Sequence, residues 1–131
     1  MSARARFELD QLLALVVACA FLGTGIAKVA GVEFVMATFE GWTASPLLLR
    51  SIGLVELTCA VLVLVPRLRL VGTASLALIM VGALLYHLAL GEWMLLGVPV
   101  TALTALFGLL HLELDQEPWR LAELEPVRSR R

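Results

Sequence analysis

An all-α membrane fold, a four-transmembrane-helix up-down-up-down bundle, is the class this sequence predicts, and three observations predict it. Of the 131 residues, 60% are hydrophobic and 16% charged, with a mean hydropathy of +0.93. A soluble domain carries roughly 25% charged residues, and so much apolar surface cannot be hidden inside so short a chain. The apolar residues fall into four runs of about 20, the length that crosses a bilayer. The later links between runs are very short, which makes sequential helices antiparallel neighbours. The same figures exclude a disordered chain, which needs low hydrophobicity and high charge. A formal net charge of −1 and a single lysine argue against a nucleic-acid partner. One integral membrane domain is expected over residues 1–131, its solvent the lipid bilayer.

The first span is expected at about 12–31, interrupted only by Lys28. Val16-Val17-Ala18-Cys19 resembles a lipoprotein cleavage site, but the apolar run continues through Phe21, Leu22 and Ile26, so the segment is read as a retained span rather than a cleaved signal. Between Gly31 and Ser45, Val32, Val35, Met36, Phe39 and Trp42 recur at helical spacing. A short interfacial helix and a plain loop dipping apolar side chains into headgroups both fit. Ser45-Pro46 reads as N-cap and first helical residue of the second span, about 47–65, which carries Arg50 and Glu56. Pro66-Arg67-Leu68-Arg69 makes a tight turn into the third span, about 70–90, which has no Asp, Glu, Lys or Arg but holds Tyr86 and His87. Gly91-Glu92 leads into the fourth span, about 93–112, with Pro99 near its start; the tail 113–131 mixes both charge signs and reads as a surface helix with a frayed end.

With four spans, both termini and the Pro66 turn share one side. Arg4, Arg6, Arg67, Arg69, Arg120, Arg128, Arg130 and Arg131 fall there, against Lys28 and Arg50 on the other. Eight against two places N- and C-termini inside, in a cytoplasmic membrane of bacterial type. Trp42 and Trp93 are expected at the outer interface, Phe7 and Trp119 at the inner one.

Small residues recur four apart at Cys19, Gly23, Ala27 and Gly31, and a similar stripe runs through Gly97, Thr101, Thr104, Gly108 and His111. Such ladders let helix backbones approach closely, within the chain or with a partner helix. Charges inside hydrocarbon cost about 2.5–3.5 kcal/mol on insertion scales and need a reason. Lys28 lies near the outer end of its span and can snorkel outward. Glu56 lies near mid-bilayer, on a face with Gly53, Cys59 and Ala60, and must pair, be protonated or meet water. The two differ in depth by roughly 6–9 Å, a gap a stretched lysine spans in large part. Lys28, Arg50, Glu56, Tyr86 and His87 all fall in the outer half. They form either one polar ligand pocket or a structural ion pair plus interfacial residues.

Cys19 and Cys59 read as buried small hydrophobes, since they lack C-x-x-C spacing and sit in apolar surroundings. His87 and His111 lie at opposite faces and cannot share a haem. No metal-ligand spacing and no nucleotide motif is present, so neither cofactor is expected, and no catalytic residue is assigned.

Phe21-Leu22-Gly23-Thr24-Gly25-Ile26-Ala27-Lys28 closing the first span, with Gly53-Leu54-Val55-Glu56-Leu57 in the second, resembles the DoxX-like family. The resemblance covers about residues 10–112 and implies a compact four-helix membrane protein. It implies diverse associations: quinone-linked redox subunits, assemblies that handle oxidative and thiol stress, and chaperones or cargo receptors. Lys28 and Glu56 are the positions that carry over. The reading that follows is an accessory subunit of a membrane redox system, with quinone as the cofactor to consider and a redox subunit or other membrane protein as partner. The alternative is a non-enzymatic assembly factor, monomeric or oligomeric, that holds a partner through its small-residue faces. A transport pathway fits poorly without a broken helix or inverted repeat.

Overall fold

The structure is a computed structural model that describes the backbone of residues 3–39 and 45–128 and the side chains of residues 5–39 and 45–115. Among the described residues five α-helices follow in order: α1 (Ala3–Ala30), α2 (Glu33–Thr38), α3 (Pro46–Leu64), α4 (Arg69–Leu90) and α5 (Gly97–Arg128), with a 3-10 turn over Trp93–Leu96 before α5. Four stretches are long and apolar enough to cross a membrane: Ala5–Ala30, Pro46–Leu64, Arg69–Leu90 and Trp93–Asp115. α1 packs most extensively on α3, α3 on α4, α4 on α5, and α5 returns to α1. The spans therefore form a ring in chain order, each antiparallel to the next, as the short links require.

Local chemistry sets the boundaries. The Ser45 side chain accepts a hydrogen bond from the Leu48 N–H at 3.3 Å, with Pro46 following at the first helical position. Gly31 (φ 70°) ends α1, and Gly91 (φ 71°) ends α4, both in the left-handed region that glycine adopts without a steric penalty. Pro99 sits in the first turn of α5, where it removes no needed donor. Of the two readings of the segment after the first span, helix or plain loop, the structure has the helix, as α2. Two expectations shift. α1 begins at Ala3, ahead of the span expected from about residue 12, and the surface helix expected for the tail is not separate from the fourth span, since α5 runs unbroken to Arg128. In both, polar residues extend a helix whose apolar part is already fixed by packing.

Buried positions recur at steps of three and four: Asp10, Ala14, Val17, Phe21, Gly25 and Lys28 on α1, and Leu49, Gly53, Glu56, Ala60 and Val63 on α3. This is the knobs-into-holes spacing of a left-handed bundle. The apolar core lies between, built from Val17, Phe21, Val63, Leu76, Met80, Leu106 and their neighbours. Outward-facing residues such as Leu54 and Leu78 are apolar as well, as lipid demands. Phe7 and Trp93 are exposed near opposite ends of the bundle. Trp42 and the side chain of Trp119 lie outside the described residues.

The close backbone approaches are not where the small-residue ladders put them. A Cβ at Gly25 would lie 2.9 Å from the Gly53 carbonyl oxygen, and one at Gly72 would lie 2.8 Å from the Cys59 carbonyl oxygen. Gly25 and Gly53 seat α1 on α3, and Gly72 seats α4 on α3. Gly23 and Gly97 instead face open space, Ala27 is half-buried, Gly31 serves the α1 turn, and a Cβ at Gly108 would meet Leu13 at an ordinary 3.6 Å. The stripe Gly97, Thr101, Thr104, Gly108 and His111 is exposed along α5. The seam within the chain mixes steps of three and four, whereas ladders at a constant step of four run onto the outer surface, where a partner helix and not a neighbour in the chain would use them. Cys19 likewise points outward, whereas Cys59 is buried as expected.

Candidate functional site

Lys28 and Glu56 form a buried ion pair. The Lys28 Nζ donates to both Glu56 oxygens at 2.6 Å, and Thr24 Oγ1 donates to Oε2 at 3.4 Å. Glu56 is fully buried and Lys28 is 9% exposed. The helical direction of side chains makes the pair. A Cβ on a helix tilts toward its N-terminus, so Lys28, near the C-terminal end of α1, runs back toward the bundle centre instead of snorkelling outward. Gly53 clears its path: a Cβ there would sit 2.7 Å from Lys28 Cβ. One helical turn further along α3 the lysine reaches Glu56.

A cavity of about 500 Å³ opens between α3 and α4 beside this pair. Its walls are Leu48, Leu49, Ile52 and Val55 on one side and Ile79, Met80 and Ala83 on the other. The polar residues lining it are Lys28, Glu56, Ser51 and Tyr86, and Phe39, just past α2, stacks on Tyr86 with ring centroids 6.3 Å apart. Of the five residues expected in one pocket, the structure brings Lys28, Glu56 and Tyr86 together. Arg50 and His87 do not line the cavity. Arg50 is exposed and folds toward Gly31 at the end of α1. His87 is buried and pairs through Nδ1 with Glu92 Oε2 at 2.7 Å, tying α4 to the turn that follows.

A second polar cluster, at the opposite end, was not singled out by sequence reasoning. Arg69, 1% exposed, donates from Nη1 to Asp10 Oδ2 at 2.5 Å and Glu113 Oε1 at 3.0 Å, from Nη2 to Gln11 Oε1 at 3.1 Å, and from Nε to the Val63 carbonyl at 2.9 Å. One guanidinium thus joins α1, α3, α4 and α5. The planar fork of arginine is what makes such multiple bonding available. The signal was in the sequence: Asp10 falls four before Ala14, and Glu113 four after Leu109, each continuing the buried seam. Arg69 is withdrawn into the bundle and Lys28 is buried in its ion pair, so the orientation tally becomes seven basic residues on one side against Arg50 on the other. Among the described residues no group of histidine, cysteine and acidic side chains is arranged to hold a metal ion.

A ring of four spanning helices with a buried ion pair at the edge of an apolar cavity defines a small integral membrane bundle. The chain belongs to the DoxX-like family, whose family model matches residues 12–109. No curated protein and no solved structure matches it significantly.

Proposed function

We propose that the protein is an accessory subunit of a membrane redox system and that it holds a quinone or lipid head in the α3–α4 cavity. The observation that carries this reading is the cavity itself: about 500 Å³, apolar along its walls, with the Lys28–Glu56 pair at its polar end. Ligand sites are mostly apolar concavities of roughly 300–1,000 Å³ with a few placed polar groups. An intramembrane charge is otherwise an expensive feature to keep. Lys28 can donate to a carbonyl oxygen, and Glu56, bonded to the same nitrogen, can take part in moving a proton. The bias of basic residues supports an orientation with both termini in the bacterial cytoplasm. Native mass spectrometry of the gently purified protein, with quinone and lipid extraction alongside, tests the reading. A stoichiometric quinone or lipid that is lost in the Lys28→Met, Glu56→Met double variant is expected. An empty native protein overturns it.

A second reading has its own observation. Cys19 and Gly23 on α1, and Gly97, Thr101, Thr104 and Gly108 on α5, are small and face outward, so a partner helix could approach both. An assembly protein would use these faces. Gly23→Leu and Gly108→Leu would then disturb partner capture while the double variant at 28 and 56 would not.

A further inference from the structure

The cavity is not symmetric, and its asymmetry carries information about what it takes. We propose that it accepts a neutral amphiphile, with a hydrogen-bond acceptor in its head and an apolar tail, and that this molecule arrives sideways from the bilayer between α3 and α4. The inference rests on the cavity reading above and narrows it to a ligand class and a route.

The route follows from which lining residues are also on the surface. Ser51 and Val55 on α3 and Gly82 on α4 line the cavity and are exposed on the outer face of the bundle. Gly82 has open space where a Cβ would be, so neither its own side chain nor a neighbour closes the cavity beside it. On a spanning bundle that face meets lipid tails. Toward the loop end, Phe39 stacks on Tyr86, and His87 lies edge-on to Tyr86 at 5.2 Å. Aromatic rings therefore flank the cavity on the side toward water, while its lipid side has a small residue and a gap. A tail lying along Ile52, Val55 and Ala83 stays in an apolar setting throughout.

The head class follows from charge. An ammonium has three N–H donors, and Lys28 gives two directions to Glu56. The pair is neutral as a unit, and one N–H is left for a ligand at the cavity edge. A carbonyl or ester oxygen accepts that bond and leaves the pair intact. An anionic phosphate head would compete with Glu56 for the lysine and leave a net negative charge in a low-dielectric site, which is costly. A cationic head would compete for Glu56 in the same way. A prenyl quinone and a diacylglycerol share the favoured chemistry.

The test uses the full chain in phosphatidylcholine nanodiscs, with occupancy counted by native mass spectrometry. The probes are a decyl-tailed benzoquinone, the tailless benzoquinone, diacylglycerol and phosphatidylglycerol. A tailed neutral probe is expected to bind at one per chain and at least tenfold more tightly than the tailless ring, with no displacement by phosphatidylglycerol. Gly82→Leu is expected to cut occupancy at least tenfold with an unchanged thermal transition, while Gly23→Leu, also in open space, leaves it unchanged. Equal binding of the tailless ring, native-like binding by the Gly82→Leu variant, or displacement by phosphatidylglycerol overturns the inference and leaves the cavity reading standing. Occupancy by diacylglycerol and not by the quinone supports the ligand class and overturns the quinone-linked role. Failure of every probe to bind the folded protein overturns both.

Discussion

Two side chains decide what the interior near the cavity can be. Glu56 is too deep to shed its charge into water, and the Lys28 side chain is turned inward onto it, so each depends on the other. Removing one partner of a buried pair costs about 3–5 kcal/mol, whereas replacing both by apolar residues of similar size is often neutral. Glu56→Ala and Lys28→Ala should each lower the thermal transition in detergent sharply. The Lys28→Met, Glu56→Met protein should unfold within a few degrees of the native one. A double variant as unstable as the singles would mean that the pair holds the bundle together and is not there for a ligand. The pairing was legible in the sequence, because a glutamate at mid-span has few partners and one lysine exists. Its geometry was less so. The direction in which Lys28 runs depends on Gly53, a residue on another helix with no charge to draw notice.

At the scale of elements, the seam governs. Gly25 and Gly53 let α1 and α3 touch, so Gly53→Ala should push Lys28 aside and destabilise by about 1–3 kcal/mol through overpacking. Gly23→Ala meets nothing and should leave the thermal transition unchanged. A loss at Gly23 equal to that at Gly53, measured as monomer stability, would place the α1 seam on the wrong face. Sequence patterns of small residues cannot separate an inward from an outward stripe by themselves. What separates them here is the buried polar residue: the seam is the face that also carries Asp10, Lys28 and Glu56. Arg69 extends the argument to the other end. Arg69→Met should cost about 3–5 kcal/mol, since it removes the buried guanidinium that pairs with Asp10 and Glu113. Adding Asp10→Asn and Glu113→Gln to that variant should restore most of the loss in a denaturation midpoint. Arg69→Lys should not, because a point ammonium cannot reach four acceptors in one plane.

For the whole molecule, Asp10 and Lys28 are 18 positions apart on one helix, about 27 Å at 1.5 Å per residue. That is close to the roughly 30 Å of a hydrocarbon core. The Arg69 cluster therefore lies near one membrane boundary, and the lysine backbone near the other. Between them the interior is apolar apart from Thr73 and the Lys28–Glu56 pair, and the cavity, lined by the first half of α3 and the second half of α4, sits in the leaflet on the Lys28 side. Which leaflet depends on orientation, and orientation depends on the loop charges. With Arg69 neutralised inside the bundle, Arg67 is the basic residue left exposed at the Pro66 turn, and the termini carry most of the rest. If they set the topology, a C-terminal green fluorescent protein fusion in a bacterial host should fluoresce, and a C-terminal alkaline phosphatase fusion should be inactive. Replacing Arg4 and Arg6 with glutamine should weaken this preference, and placing two lysines beside Trp93 should weaken it further, as the basic-residue rule counts short loops. An active phosphatase fusion on the native chain would put the cavity in the inner leaflet and its ligand among lipids of the cytoplasmic face. The same fusion result would remove the reason to place the ion pair on the outer side, while leaving the four-span ring and its two polar clusters as they are.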